Sequence, residues 1–111
     1  MSHQLVLIAQ STLMPDATLK ALADPLRMEI VELLADEQLC TCHLVEETGA
    51  TQTNVSNHLR VLREAGLVVS EPAGRYTYHR LVPEQFAEVT AAFKDLASRA
   101  RRTRAVKRPC G

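Results

Sequence analysis

The apolar residues between Leu44 and Leu81 change their period at Gly66, and that switch constrains the fold more than any other feature. Before it, Leu44 and Val45 turn inward from a short helix running Cys42 to Thr48. Gly49 ends that helix, because a left-handed C′ conformation costs glycine little. Thr51 reads as the N-cap of a second helix, Gln52 to Ala65, whose Val55, Leu59 and Leu62 keep helical spacing until Gly66 closes it. Beyond Gly66, Leu67 to Glu71 is rich in β-formers, Pro72-Ala73-Gly74 is a turn, and Arg75 to Leu81 alternates. That is the pattern of a β-hairpin. Two short helices joined by a tight glycine-containing turn and followed by a hairpin make a winged helix-turn-helix.

The flanks are helical. Asp16 is an N-cap for a short helix carrying Leu19, Leu22 and Ala23, and Asp24 caps the next one with Pro25 at its first position. There Leu26, Ile30, Leu33 and Leu34 form a stripe that Met28 and Val31 widen, while Arg27, Glu29, Glu32 and Asp36 face away. Residues 1–14 are expected to form a short helix. Pro83 opens a last helix with Phe86, Val89, Thr90, Phe93, Leu96 and Ala97 on one side. The expected fold class is therefore mainly α with a β-hairpin wing, in one domain over residues 1–106. Residues 107–111 are expected to be a flexible basic tail. The outer helices carry more apolar face than one small domain needs, and the surplus suits a homodimer joined through N- and C-terminal helices.

A chain of 111 residues, 46% hydrophobic and 4% aromatic, fits one compact domain with an aliphatic core. It has no apolar run near the length of a membrane span, and Leu5 to Ala9 is too short for a signal peptide, so a cytoplasmic location is expected. Net charge is zero but unevenly placed: residues 1–98 are acidic on balance, whereas 99–111 carry Arg99, Arg101, Arg102, Arg104, Lys107 and Arg108 with no acid. A zero sum therefore does not exclude a polyanionic partner.

With Val55, Leu59 and Leu62 inward, the second helix presents Gln52, Thr53, Asn54, Ser56, Asn57 and Arg60 on its other side. These side chains suit base edges in a major groove, and Arg60 suits a phosphate or a guanine. A face needing only solubility more often carries Glu and Lys. The wing adds Arg75 and Arg80, with Gly74 allowing close backbone approach. The expected partner is double-stranded operator DNA. His58, at the margin of the core face, reads as a structural histidine.

There are three cysteines: Cys40, Cys42 and Cys110. An odd count without a secretory leader argues for reduced thiols rather than a disulfide scaffold. Cys40-Thr41-Cys42 lies where the first helix of the pair begins. Residues two apart in a regular helix project on nearly opposite sides, but Cys40 stands outside the regular turns, so both sulfurs can converge. The helix N-terminus favours thiolate there. Two adjacent thiolates select As(III), Sb(III), Cd(II), Pb(II) or Zn(II) over oxygen-loving ions. Ordinary burial is the plain alternative, and oxidation is another, although a disulfide across two residues is expected to be strained. An enzyme is not expected, since no Cys-x-x-Cys beside an α/β pattern, anion-cradling loop or supported Ser/His/Asp set occurs.

The segment from Leu19 to Ile30, with Ala23-Asp24-Pro25-Leu26-Arg27, resembles the ALADPTRL opening of the ArsR/SmtB family of metal-responsive repressors. Glu37-Gln38-Leu39-Cys40-Thr41-Cys42-His43-Leu44 resembles the ELCVCDL metal-box of its arsenite-responsive members. Gln52 to Val68 resembles the family's recognition helix, and Gly74 to Leu81 its wing. The resemblance covers about residues 17–95 in order and spacing. It implies a homodimeric transcriptional repressor that leaves its operator when As(III) binds the Cys-x-Cys site. Cd-, Pb-, Zn- or Ni-responsive repression in the same family and thiol-redox sensing are the alternatives. A third cysteine often follows the second by three residues in arsenite-responsive members, but that position is Val45 here. Cys110, from the same or the partner subunit, is then the candidate third ligand. His43 would tilt the site toward Cd, Zn or Pb, and hydroxide or a small thiol would also serve. The family's zinc/cobalt/nickel-type site in the last helix needs Asp and His, and Pro83 to Arg104 offers only Glu84, Glu88 and Asp95.

Overall fold

The computed structural model describes residues 15–103, 105 and 107–111; the helix expected within residues 1–14 lies outside them. The elements run α1 (Asp16–Leu22), α2 (Pro25–Leu34), β1 (Leu39–Cys40), α3 (Thr41–Thr48), α4 (Gln52–Glu64), β2 (Val68–Ala73), β3 (Tyr76–Leu81) and α5 (Pro83–Arg101). Helix α3, the turn at Gly49 and helix α4 are the helix-turn-helix, and β2–β3 is the wing. Gly49 adopts φ 74° and ends α3 as a left-handed cap.

Caps set the helix ends. The Asp24 carboxylate accepts from the backbone N–H groups of Leu26 (2.9 Å) and Arg27 (3.1 Å), ahead of Pro25. Thr51 Oγ1 accepts from Asn54 N–H at 3.2 Å and caps α4. At α1 the cap position is Pro15, and Asp16 is instead the first helical residue, where its charge still suits the helix dipole.

Arg27 departs from expectation. It was expected to face solvent, yet its Nε donates to Ala21 O at 2.6 Å and its Nη2 to Lys20 O at 3.4 Å. Its Nη1 lies 3.0 Å from Nδ1 of His58 on α4. The last carbonyls of a helix lack the usual donors four residues on; Lys20 O accepts the Ala23 N–H at 3.3 Å, and the guanidinium supplies further donors to Ala21 and Lys20 while complementing the dipole. His58 is thus held as the structural residue it resembles.

The sheet has three antiparallel strands in the order β1-β3-β2, one more than the expected hairpin. Strand β1 pairs Leu39 with His79 and Cys40 with Tyr78. Two residues are too short a run to show alternation in sequence. Strands β2 and β3 pair from Val68↔Leu81 to Ala73↔Tyr76, joined by Gly74-Arg75. Gly74 has φ 66° and, among the described residues, no non-glycine residue has positive φ, so Gly74 and Arg75 meet what a type II′ connection requires of its two positions. Pro72 and Ala73 are therefore strand rather than turn; Pro72 is tolerated because β2 is an edge.

Ile30, Leu44, Val55, Leu59, Leu62 and Leu67 are fully buried and draw α2, α3, α4 and the base of the wing around one core. Helix α5 is tied to the end of α4 by Gln85 Nε2, which donates to Ala65 O at 3.2 Å. Beyond that point only Ala92 is buried, and Phe93 and Leu96 remain 48% and 40% exposed.

Candidate functional site

The amphipathic pattern of α4 sorts its side chains. Val55, Leu59 and Leu62 are buried, and Gln52, Thr53, Asn54, Ser56, Asn57 and Arg60 are all exposed. Arg60 pairs with Glu64 at 3.3 Å one turn on, and Arg80 with Glu71 across the wing at 3.2 Å. Such solvent-exposed pairs contribute about 0–1 kcal/mol, so either guanidinium can exchange its partner for a phosphate. Arg75 sits exposed at the wing tip beside Gly74.

The second constellation lies at the start of α3. Cys40 is the N-cap, in extended conformation (φ −83°, ψ 166°), and Cys42 is the second residue of the helix. This change of backbone conformation between the two brings their sulfurs into contact as a disulfide, with Cα atoms 5.4 Å apart. That separation lies inside the range disulfides span. Cys40 is buried and Cys42 exposed.

His43 completes the group. It occupies the third helical position, where a capping box uses Glu or Gln, and its Nδ1 accepts the Cys40 backbone N–H at 3.2 Å. The same nitrogen lies 3.3 Å from Cys40 Sγ. The ligand atoms of Cys40, Cys42 and His43 all fall within 4.8 Å of one another. Once the pair is reduced, two thiolates and one imidazole nitrogen make a donor set for soft and borderline ions. Cys110 is exposed, carries a free thiol and is not in that cluster within one chain. An acidic cleft of about 670 Å³ opens beside His43, lined by Glu29, Glu32, Asp36, Glu37, Glu46 and Glu47.

A polar chain that was not anticipated runs behind the thiols. Thr41 Oγ1 lies 2.9 Å from Nε2 of His79, Nδ1 of His79 lies 2.7 Å from Ser70 Oγ, and Arg63 Nη1 donates to Ser70 Oγ at 3.3 Å. His79 is 2% exposed. Burial first, and the Arg63 charge second, lower its pKa from the ordinary 6.5 and so favour the neutral ring. A two-residue wing turn sets Ser70 opposite His79, which is the signal that could have revealed the pair.

The bacterial regulatory protein family arsR matches residues 24–70. An uncharacterized HTH-type transcriptional regulator of Methanocaldococcus jannaschii is 31% identical over 69% of this chain and 88% of its own length. The arsenical resistance operon repressor of Escherichia coli is 39% identical over 66% of this chain, which spans just under two thirds (63%) of that repressor. A crystal structure of a possible transcriptional regulator for arsenical resistance superposes with TM-score 0.64 at 36% identity, covering 69% of this chain and 80% of that one.

Proposed function

Because this chain belongs to the ArsR family of bacterial transcriptional regulators, we propose that it is a homodimeric repressor released from operator DNA when Cys40 and Cys42 take up As(III). The observation that carries the reading is the convergence of both sulfurs at the first turn of α3, the helix that packs directly on α4. Arsenous acid condenses with two thiols and releases two waters, leaving one hydroxide on arsenic. A third thiol, Cys110 of either subunit, would displace that hydroxide. Sb(III) follows the same chemistry. With His43 as third donor, Cd(II), Pb(II) or Zn(II) become competent effectors.

The acidic cleft beside His43 favours cations and neutral arsenous acid over oxyanions such as arsenate. Drawing Cys40 and Cys42 onto one ion repositions the first turn of α3 and, through packing, the face of α4 that meets the major groove. A coupling of about 1–3 kcal/mol is the usual size of such linkage. The exposed Phe93 and Leu96 on α5 support a dimer interface on that helix.

The contact of the two sulfurs also favours a second reading, oxidation of the pair: two thiols give up two protons and two electrons to a peroxide, which leaves as two waters. Fluorescence anisotropy on the promoter DNA of its own gene distinguishes them. Arsenite, antimonite, cadmium, lead, zinc and hydrogen peroxide are titrated against wild type, Cys40→Ser/Cys42→Ser and Cys110→Ser. Release by arsenite that the paired substitution abolishes supports the As(III) reading, and weakened release in Cys110→Ser assigns the third ligand. Release by peroxide alone replaces it with the redox reading. DNA binding that nothing disturbs refutes both.

A further inference from the structure

The thiol pair and the recognition helix are joined by the side chains Thr41, His79, Ser70 and Arg63, and these four do more than fill space. Thr41 lies between the two cysteines, so any rearrangement of the pair displaces it. Its hydroxyl contacts Nε2 of a ring buried at the centre of the sheet, and the other ring nitrogen contacts Ser70 on β2. Ser70 accepts from Arg63, in the last turn of α4 and almost one turn beyond Arg60. Strand β1, which carries Cys40, is itself laddered to β3, which carries His79.

The donor arithmetic makes this chain directional. A guanidinium only donates, so Ser70 Oγ accepts from Arg63 and its own proton is free to go to Nδ1 of His79. A neutral ring accepting at Nδ1 carries its proton on Nε2 and donates it to Thr41. Each bond then runs the same way, from α4 to the thiol loop, and hydrogen bonds aligned head to tail polarise one another. The reverse tautomer leaves His79 and Arg63 both donating into Ser70 and turns the Thr41 hydroxyl toward the ring. The ring thus has two neutral arrangements that differ in the orientation of Thr41 at one end and of Ser70, the acceptor of Arg63, at the other.

We infer that His79 is a positioning residue that transmits the state of the Cys40–Cys42 pair to α4 through Thr41 at one end and Ser70–Arg63 at the other. The inference rests on the thiol pair being the effector site. Direct packing of α3 on α4 transmits displacement as well, but it does not require the hydroxyls of Thr41 and Ser70. Those hydroxyls therefore separate the two routes.

The test uses the full-length protein and sodium arsenite as probe. The ratio of DNA dissociation constants with and without saturating arsenite is measured for wild type, Thr41→Val, Ser70→Ala, the double variant and His79→Gln. Allosteric linkage ordinarily gives ratios of about 5–150. Thr41→Val and Ser70→Ala are each expected to bring the ratio down at least threefold, with the double variant no lower than the worse single, since both interrupt one chain. Arsenite affinity of the DNA-free protein, read from the sulfur–arsenic absorbance, stays within twofold. By reciprocity, arsenite affinity of the DNA-bound variants rises toward the free value.

A merely structural role would lower melting temperature and basal DNA affinity while leaving the ratio untouched. A ratio unchanged in both single variants, with wild type released normally, overturns the relay alone. Wild type that arsenite does not release overturns the effector reading and the relay with it. Nitrogen-15 shifts of the His79 ring that move on arsenite addition in wild type, and not in Thr41→Val, support the same route; shifts that move equally in both count against it.

Discussion

Replacing Gly66 by alanine tests the join between recognition helix and wing. Gly66 and Gly49 both sit at positive φ, 77° and 74°, but their surroundings differ. A Cβ at Gly49 meets nothing within 4 Å, whereas one at Gly66 lies 2.8 Å from Gln85 Nε2. At Gly49, alanine costs the left-handed conformation alone, about 1 kcal/mol or somewhat more. At Gly66 the Gln85 amide must also move off Ala65 O, its partner at 3.2 Å. Losing that hydrogen bond adds about 1 kcal/mol, for a total of about 2. Urea unfolding at fixed protein concentration, analysed with a shared slope, reads both values. In a Gln85→Ala background the Gly66→Ala penalty should fall to that of Gly49→Ala, because nothing is left to displace. Equal penalties at the two glycines in the wild-type background, or a gap that survives Gln85→Ala, would refute the argument.

Thr51→Ala removes the cap on Asn54 N–H and should cost about 0.5–2 kcal/mol in the same assay. It should also weaken DNA binding, because the frayed turn carries Gln52, Thr53 and Asn54. Glu64→Gln should leave stability within about 0.5 kcal/mol, since its partner Arg60 is solvated. Arg60→Ala should weaken DNA binding and reduce the salt slope by about 1; an unchanged slope places Arg60 off the phosphates. The lowered pKa of His79 makes its contribution to stability full above 6.5 and lost as pH falls below that value through the folded pKa. Unfolding followed from about pH 7.5 to 5 should therefore show a loss in wild type that His79→Gln lacks, and parallel curves would contradict the assignment. Asp24, held below 3.8 chiefly by the Arg27 backbone N–H, acts in the same direction at lower pH and does not interfere.

The winged helix-turn-helix was legible because its signals are local. Gly49 and Gly66 punctuate helices whose buried residues recur at Val55, Leu59 and Leu62, and the wing announces itself by a change of period. What escaped was long-range. Arg27 looked solvent-facing because its partners, the carbonyls ending α1 and the ring of His58, are set by helix crossing rather than by spacing. Strand β1 escaped because two residues have no period, and without it Cys40 has no visible link to the wing. The convergence of Cys40 and Cys42 could be argued from their place at a helix start. The neighbourhood of His43, and the line from Thr41 to Arg63, needed the fold, since they depend on which strand faces which.

The wing's ladder bears on how far such an arm can vary. Gly74-Arg75 fixes the register from the tip, so Ser70 meets His79 only while the two strands carry equal numbers of residues between that turn and the rung they share. A single residue added within β3 ahead of Tyr78 must be absorbed as a bulge, or it turns the His79 ring out to solvent and brings Tyr78 in. A matched pair, one residue on each strand, lengthens the arm by about 3.4 Å and leaves that rung intact. The proposed reach along DNA and the proposed relay to the thiols are then separate variables, the first changing in whole rungs at the tip and the second held constant at the base.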